Sequence, residues 1–432
     1  RLATKAKGHQ AIDRFLRYNP LYRRNVADAI REFDAADLDG RMELTERWTA
    51  RILEHARRTP YGCSFGSRFD DWPILEKKLL RDAPENLVAS GFARFPASTS
   101  GTTGLPIRLS RSMECIAAEQ AFIDHILSPY GVSFRASRVA VLRGDDVKDP
   151  ADQRPPYGRV VHQGRRLMLS NPHLSPETVD WFVGAIREFR PDILWVYPSM
   201  MANLLHCMDL KGLEFQVPVV LLSSEMLSPG AFEAIEQRLS ARVVDYYGQA
   251  ERVCFAVAHR PHEYRFLPSY GRVELVPDEI EEGGPPTARI YATGFWNRAM
   301  PLVRFDTGDR AVLPGGTSPE DLRAIELGIV PFTGIAGRAA EFIVTPDGGA
   351  IASLNHLPRE VDNVFQLQVV QEKLDAIDIR VLPRPAFDEA DRQQILHNAR
   401  QKIPPEIAIN IVVVSRLEKS PNGKVPFVIR RV

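Results

Sequence analysis

The chain has 432 residues, of which 44% are hydrophobic and 25% charged, and its 55 lysines and arginines balance its 55 aspartates and glutamates. A balanced charge provides no overall field that would attract nucleic acid or an anionic membrane. The four cysteines are scattered, without a Cys-x-x-Cys pair, and no apolar run approaches membrane-spanning length. We therefore expect a protein of two or three domains in the cytoplasm, with no nucleic-acid partner and no membrane span.

Helices dominate the beginning of the chain. Apolar residues at helical spacing predict helix up to about Arg58, where Thr59-Pro60-Tyr61-Gly62 interrupts the pattern. A loop-rich stretch follows. Beyond it, Met113 to Leu127 is predicted as a helix and Arg138 to Leu142 as a short buried strand.

From Pro191 onward, strands and helices alternate. Strands are predicted at 193–197, 218–222 and 242–246, with a helix at 200–210 and another beginning at Ser228-Pro229. Such alternation is typical of βαβ units in a parallel sheet. The sequence therefore predicts an α/β fold with a parallel sheet in a large N-terminal domain.

After about Tyr264 the pattern changes to short strands and turns, with strands predicted near 271–276, 289–292 and 302–305. From Phe342 the chain is typical of a small α+β unit, with strands near 365–370, 377–382 and 407–414 and a helix at 388–402. We therefore predict a core domain at 1–336, which ends in a smaller β-rich part, and a mobile lid domain at 337–432, with the hinge near Glu341.

One polar loop precedes the predicted sheet. It reads Ser98, Thr99, Ser100, Gly101, Thr102, Thr103, Gly104, Leu105, Pro106. Glycines let the backbone approach a ligand closely, and successive N–H groups and hydroxyls can surround an anion. The loop is not a Walker motif, because no G-x-x-x-x-G-K-[ST] occurs in the chain. A phosphate-binding loop and a flexible linker are both open at this point.

Two polar clusters follow predicted strands, at the carboxyl ends where open parallel sheets bind ligands. Ser224 and Glu225 follow the second strand of the alternation, and Tyr246-Tyr247-Gly248 leads to Glu251 after the third. Tyrosine rings can stack on a purine, and a carboxylate can hold Mg²⁺ beside phosphate. The alternative is that Tyr-Tyr-Gly merely ends a strand.

Two further segments carry candidate site residues. In Arg304-Phe305-Asp306-Thr307-Gly308-Asp309, an aspartate could accept hydrogen bonds from a ribose diol, or could cap a turn after an apolar strand. Near the C-terminus, Ser420-Pro421-Asn422-Gly423-Lys424 presents a lysine beyond a turn. A lysine in such a position is most often exposed and inert.

The order of these segments resembles the adenylate-forming superfamily of acyl-CoA ligases, adenylation domains and luciferases. The hydroxyl and glycine loop, Tyr-Gly-x-x-Glu, Thr-Gly-Asp, a Gly-Arg with an acid three residues later, and Pro-x-Gly-Lys appear in that sequence from about Thr59 to Val432. Within the superfamily, Tyr-Gly-Gln-Ala-Glu-Arg-Val and the compact length are similar to the phenylacetate–CoA ligase-like branch, including its capsule-biosynthesis members.

The resemblance implies an AMP-forming acid ligase, which uses ATP and Mg²⁺ to convert a carboxylic acid into an acyl-adenylate and pyrophosphate. An acceptor then displaces AMP. The acceptor could be CoA, a carrier-protein thiol, or an amine or hydroxyl, and a homodimer is a further expectation. By position, the resemblance implies that Ser98 to Gly104 bind phosphate and that Glu251 binds Mg²⁺. It implies ribose binding by Asp309, ribose or phosphate binding by Arg338, and catalysis by Lys424 from the lid. Contacts with adenine and the acyl group are implied for Ser224, Glu225, Tyr246, Tyr247 and Gly248.

Three positions depart from the pattern of the family. Ala250 stands where a threonine usually contacts the α-phosphate, Ile107 and Arg108 stand where a lysine often follows the loop proline, and the hinge acid is Glu341 where aspartate is more usual. Arg108 could replace the missing charge. Two other functions therefore stay open: an adenylyltransferase that leaves AMP on a phenolic substrate, and a non-catalytic relative that binds nucleotide or acyl groups.

Two minor features complete the sequence-based hypotheses. Cys254, His259 and His262 lie close in sequence, but three ligands without a fourth make a poor structural zinc site, so we favour a buried cysteine beside surface histidines. Residues of a substrate pocket are expected from 138–143, 197–201 and 223–226. Within these segments, Tyr197, Met200, Met201 and Met226 suggest an apolar or aromatic substrate, with packing in the core as the alternative.

Overall fold

The structure is a computed structural model. It describes residues 15–98, 107–145, 147–149, 151–225, 227, 230–279, 285–336, 343–346, 350–351, 354, 357–358, 360–361, 363–400, 403–420 and 425–432. Among these residues, no helix is both long and apolar enough to cross a membrane.

The described helices are α1 (Pro20–Ala35), α2 (Leu38–Ala56), α3 (Lys77–Asp82), α4 (Met113–Leu127), α5 (Val179–Phe189), α6 (Pro198–Lys211), α7 (Ala231–Leu239), α8 (Pro319–Glu326) and α9 (Glu389–Arg400). Side chains cap several of them. The Asn19 side chain accepts hydrogen bonds at the start of α1, and Ser318 forms a capping box with Asp321 at the start of α8.

The described strands are β1 (Phe95–Ser98), β2 (Arg108–Arg111), β3 (Val139–Leu142), β4 (Gly158–Val161), β5 (Arg166–Leu169), β6 (Ile193–Val196), β7 (Val219–Ser223), β8 (Arg242–Gly248), β9 (Phe255–Ala258), β10 (Tyr264–Phe266), β11 (Gly271–Pro277), β12 (Thr287–Gly294), β13 (Phe305–Val312), β14 (Gly334–Ala336), β15 (Ile343–Val344), β16 (Ala350–Ile351), β17 (Val364–Lys373), β18 (Ala376–Pro383), β19 (Ala408–Val413) and β20 (Val428–Arg430).

The chain divides into two compact units. The first unit contains Arg1–Phe134, Tyr246–Ala258 and His262–Ile335. The second unit contains Arg135–Asp245, His259–Pro261 and Ala336–Val432. These units describe compactness, whereas the predicted core at 1–336 and lid at 337–432 differ in which segment moves. The predicted division therefore stays a prediction.

The second unit contains the predicted parallel sheet. Strand β3 pairs in parallel with β5 on one side and β6 on the other, β6 pairs in parallel with β7, and β8 lies beside β7. β4 pairs antiparallel with β5 and forms the edge. Residues of β3, β6 and β7 are almost entirely buried, as expected for strands of a parallel sheet. The predicted α/β fold is confirmed.

The last part of the chain, also in the second unit, forms a four-stranded sheet in the order β19-β18-β17-β20. Strands β17 and β18 form an antiparallel hairpin, and β19 and β20 add in parallel on either side. Helix α9 packs its buried Ile395 and Ala399 into the same apolar core as β17 and β18. The predicted small α+β unit is therefore present.

The first unit combines the N-terminal helices with short antiparallel sheets. β1 and β2 form a hairpin, β9 pairs with β10, and the sheet β11-β12-β13-β14 lies over a core that includes Phe266, Phe305 and Phe332. Helix α4 is buried on nearly all sides, and its buried residues include Glu114, Gln120 and Asp124 beside the apolar ones.

One predicted strand is wrong. The segment 302–305 was expected to be a strand followed by a glycine turn, but strand β13 begins at Phe305 and continues through Asp309 to Val312. Gly308 has φ of +72°, and the register between β12 and β13 shifts between Arg289 and Tyr291. The glycine therefore marks a β-bulge within a strand. Bulges and turns both favour glycine, so the two are hard to distinguish from the sequence.

Candidate active site

The predicted phosphate loop connects the two strands of the β1–β2 hairpin. Ser98 pairs with Arg108, and Ala97 pairs with Leu109, so the two ends of the loop are held side by side. The far end of the hairpin is anchored by Asn297, whose side chain accepts from the Ser112 N–H and donates to the Ser110 carbonyl. Thr99, Ser100, Gly101, Thr102, Thr103 and Gly104 themselves lie outside the described residues. The assignment of these residues to phosphate binding stays a prediction.

Two sequence-predicted residues meet in the first unit. The Tyr247 hydroxyl donates to Oδ2 of Asp309 over 2.9 Å, although 62 residues separate them. Gln249 donates to the Tyr247 hydroxyl over 2.5 Å and to Sγ of Cys254 over 3.1 Å. The bulge around Gly308 is closed locally, because the Gly308 N–H donates to Asp306 over 2.8 Å. Asp306 thus makes the predicted Asx-type turn, and Asp309 is left to face Tyr247.

Burial controls the protonation of this cluster. Burial and the nearby Asp309 raise the pKa of Tyr247 well above its ordinary value. Burial also raises the pKa of the Cys254 thiol to about 12, so it is protonated at neutral pH. No group of three or more His, Cys, Asp or Glu side chains able to hold a metal occurs among the described residues.

Glu251 lies in the same segment and is 5% exposed. Its Oε1 is buried without a hydrogen-bond partner and lies 3.4 Å from the ammonium of Lys77, at the start of α3. A buried carboxylate oxygen that only a cation approaches fits a cation-binding role. Mg²⁺ is usually held by one or two carboxylates together with substrate phosphates, and the assignment of Glu251 as its ligand stays a prediction.

The segment carrying Glu251 is fixed by contacts on both sides. Arg111 donates to the Ala250 carbonyl over 2.9 Å, and Arg252, whose φ is +56°, donates to the Cys115 carbonyl over 2.9 Å. Gly294 lets the segment approach the sheet, because a Cβ there would lie 2.5 Å from the Arg252 carbonyl oxygen. The substitution of Ala250 for the usual threonine leaves the backbone of this segment firmly held.

Strand β8 ends with Tyr246, Tyr247 and Gly248. The backbone of Tyr-Tyr-Gly therefore forms the end of a strand, which was the alternative interpretation of this segment. The Tyr246 ring stacks on Phe255 with centroids 5.1 Å apart and planes 3° from parallel. Tyr246 is therefore packed in the core on at least one face, while Tyr247 is the tyrosine that contacts a predicted site residue.

In the second unit, Ser224 and Glu225 follow β7 at the carboxyl end of the parallel sheet. Ser224 has φ of +74°, and its hydroxyl accepts from Nη2 of Arg143 over 3.3 Å. Glu225 accepts from the Ser199 N–H over 2.8 Å, in the first turn of α6, and from the Val425 N–H over 3.2 Å. A carboxylate at a helix N-terminus is favourably placed for the helix dipole. Val425 directly follows Lys424.

A half-buried lysine, Lys419, lies near Glu225 in the second unit. Lys419 donates to the Asn171 carbonyl over 3.1 Å and to the Asn171 side chain. Burial lowers its pKa to about 8, although Glu225 acts in the opposite direction. Val425 and Lys419 therefore connect the predicted lid segment to the parallel sheet. Lys424, Arg338 and the hinge residue Glu341 lie outside the described residues, as does Met226.

Sequence reasoning missed the partners of the predicted residues. Lys77 contacts Glu251 and Arg111 contacts the Ala250 carbonyl, but each is far from that segment along the chain. Their charges are ordinary in composition, and a single sequence carries no signal that pairs Lys77 with Glu251 across 174 positions. The apolar residues suggested for a substrate pocket are in the core instead: Met200 is 1% exposed and Met201 0%.

Two family models match the chain. The model described as an AMP-binding enzyme matches residues 159–280, and the CapK C-terminal domain matches residues 343–431. The chain is also 25% identical over 258 residues to a phenylacetate-coenzyme A ligase of Pseudomonas putida, an alignment covering 54% of this chain and 55% of that protein. The chain thus spans about half the length of this relative.

A second relative is matched over a longer region. A phenylacetate-coenzyme A ligase of Escherichia coli (strain K12) is 24% identical over 349 residues, which cover 73% of each protein. Among solved structures, a 2-hydroxyisobutyryl-CoA ligase in the postadenylation state, in complex with 2-HIB-AMP, superposes with a TM-score of 0.57 at 15% identity over 91% of this chain and 89% of its own. This likeness shows a shared fold. The AMP-binding match precedes the CapK C-terminal match along the chain, and over these regions the chain is similar to phenylacetate–CoA ligase-like members of the adenylate-forming superfamily.

Proposed function

We propose that this protein is an AMP-forming acid ligase, which activates a carboxylic acid with ATP and passes the acyl group to a thiol such as that of CoA. The observation that carries the proposal is the hydrogen bond from Tyr247 to Asp309, on the segment that also holds Glu251. It brings two of the predicted nucleotide-binding motifs together in one unit. The activities named for the relatives, phenylacetate-coenzyme A ligase and 2-hydroxyisobutyryl-CoA ligase, support the same reaction class.

The reaction has two displacement steps. A carboxylate oxygen of the acid attacks the α-phosphorus of ATP, and pyrophosphate leaves with the electrons of the broken P–O bond. A thiolate then attacks the acyl carbon, and AMP leaves with the oxygen that came from the acid. In the first step charge builds up on the phosphate oxygens, so positioned cations and N–H donors supply most of the catalysis.

Each predicted residue has a role in this scheme. Asp309 would accept hydrogen bonds from the ribose hydroxyls, with Tyr247 holding its carboxylate in place. The loop from Ser98 to Gly104 would bind the β- and γ-phosphates, Arg338 would contact ribose or phosphate, and Ser224, Glu225, Tyr246 and Gly248 would border adenine and the acyl group. Glu251 would hold Mg²⁺, which when bound neutralises phosphate charge.

Lys424 would act from a mobile lid. We infer that residues 337–432 move about a hinge near Glu341, bringing Lys424 to the α-phosphate for the first step and withdrawing it for the second. In the described arrangement, Glu225 accepts from the N–H of Val425, the residue next to Lys424, and Asn171 accepts from Lys419. Movement of the lid would break both contacts.

The experiment is acid-dependent ATP–pyrophosphate exchange with a panel of aromatic, fatty and polar acids. We expect exchange only when an acid is present, and a loss of roughly 100-fold or more in Lys424→Ala and in Glu251→Gln. Lys78→Ala is the matched control, because Lys78 is exposed and pairs with Asp82 on the same helix.

Two results would contradict the proposal. AMP left covalently on a phenolic product would identify an adenylyltransferase. ATP binding without exchange for any acid in the panel would identify a non-catalytic nucleotide-binding protein.

A further inference from the structure

An arginine is held rigidly at the carboxyl end of the parallel sheet. Arg143 follows β3, and its guanidinium carbon lies 3.9 Å from the ring centroid of Trp195 and 4.8 Å from that of Tyr197, at the end of β6. Nη2 donates to the Ser224 hydroxyl over 3.3 Å, at the end of β7. Three neighbouring strand ends therefore fix the plane of this guanidinium, at the edge where parallel sheets bind ligands.

The charge of Arg143 has no protein counter-ion among the described residues. No carboxylate in the described ranges forms an ion pair with it, and its Nε is buried without a hydrogen-bond partner. A buried donor without a partner is unfavourable, and a stacked guanidinium is pre-organised to receive two oxygens of one carboxylate. The arrangement therefore favours an anionic ligand that is not part of the protein.

Two aromatic rings and the Ser224 hydroxyl contact Arg143, and further hydroxyls follow the same strands. Ser223 is buried beside Ser224, with the two hydroxyl oxygens 3.4 Å apart, and the Ser199 hydroxyl is buried without a hydrogen-bond partner. Met200 and Met201, which would make an apolar pocket, pack into the core instead. A guanidinium with a hydroxyl at hydrogen-bond distance suits a polar acid better than a purely hydrocarbon one.

We propose that Arg143 binds a second anionic group of the acid substrate, so that the preferred substrates are carboxylic acids that carry another acidic group, such as dicarboxylates. This inference rests on the proposed function. The non-reacting group is a better partner for Arg143 than the reacting carboxylate. The reacting carboxylate must donate electrons to phosphorus, and it then becomes an uncharged acyl group. An arginine bound to the non-reacting carboxylate keeps its ion pair through both steps.

The test compares matched acids with and without a second carboxylate: succinate against butyrate, and 4-carboxyphenylacetate against phenylacetate. Binding to the whole protein is measured by calorimetry without ATP, and ATP–pyrophosphate exchange is measured on the same pairs. We expect the diacids to be preferred roughly tenfold or more by the unaltered protein. Arg143→Gln should abolish the preference, because it lowers the affinity for each diacid to the level of the matched monoacid.

Two further variants control for structural effects. Arg143→Lys keeps the charge but loses the planar fork, so it should retain part of the preference even if the glutamine variant folds poorly. Arg138→Gln is the matched control, because Arg138 precedes the same strand and its guanidinium carbon lies 4.4 Å from the Phe189 ring centroid, at the opposite end. This variant should keep the full preference for diacids.

The outcomes separate the two proposals. Diacid binding that depends on Arg143, without exchange for any acid, would overturn the ligase function but keep the anion site. Exchange with monoacids and no diacid preference would keep the ligase function and overturn the role of Arg143. An equal loss of both acids in Arg143→Gln, with no residual preference in Arg143→Lys, would show that the arginine is only structural.

Discussion

Tyr247 and Cys254 are two residues of the candidate site whose pKa values are raised by their surroundings. Burial raises the pKa of both groups, and Asp309 raises that of Tyr247 further. The Tyr247 proton is therefore retained and shared with Asp309, which fixes the orientation of the carboxylate. Gln249 contacts both groups through one amide nitrogen. This polar cluster prepares Asp309 to accept hydrogen bonds in one defined direction.

A second residue has a shifted pKa that affects stability away from the site. Glu326, at the end of α8, accepts from the Leu275 N–H over 2.6 Å, and burial raises its pKa to about 7. The folded state therefore binds a proton more tightly than the unfolded state, whose glutamate titrates near 4.5. Stability from this group is present below about pH 4.5 and is lost as the pH rises to about 7.

Glu326→Gln keeps the acceptor for Leu275 and cannot ionise. We expect it to stabilise the protein at pH 8 by up to about 3 kcal/mol and to change little at pH 5. Urea unfolding at the two pH values measures the difference. Glu320→Gln, an exposed position on the same helix, is the control, and an equal effect of Glu326→Gln at both pH values would refute the linkage.

At the scale of elements, the segment with Glu251 is shaped by close backbone contacts. Gly271 and Gly294 lie at the start of β11 and the end of β12, and a Cβ on either would lie within 2.5 Å of a carbonyl oxygen of Arg252 or Val253. Because backbone atoms cannot move aside as a flexible side chain can, these glycines set how near the segment comes to the sheet.

Gly294→Ala should push this segment away. We expect a loss of stability of about 1–3 kcal/mol and a loss of exchange activity larger than the unfolding alone explains. Gly315→Ala is the control, since a Cβ there meets nothing within 4 Å and its φ is not positive. Thermal unfolding and exchange are measured on both variants, and a Gly294→Ala protein with normal activity would show that the segment tolerates displacement.

The whole molecule shows which features a sequence can and cannot predict. Helix α4 has the predicted bounds, and the strands of the parallel sheet fall within a few residues of prediction, because their apolar runs are long and regular. Strands β4 and β5 were not predicted, because alternation there is short and mixed with charges. The segment around Gly308 was predicted as a turn and is a bulge within β13, because a glycine near two aspartates has the composition of a turn.

The sequence predicted which segments carry the candidate site residues, but it did not predict the contacts between those segments. Motif order indicated Asp309, Tyr247 and Glu251, but their contacts depend on tertiary structure that no spacing encodes. Lys419 is an example: it lies five residues before the predicted catalytic lysine, and only the fold reveals that it donates to the Asn171 carbonyl. The partners of a motif residue come from distant parts of the chain, and one sequence gives no pairing between them.

The central claim is that a carboxylate oxygen of the acid attacks the α-phosphorus of ATP. Acid labelled with ¹⁸O in its carboxylate, incubated with the protein, ATP, Mg²⁺ and CoA, tests it most directly. The account predicts one ¹⁸O atom in the phosphate of the AMP formed, detected by mass spectrometry, and none when the acid is unlabelled. AMP without label, or ADP and phosphate as the products, would contradict it.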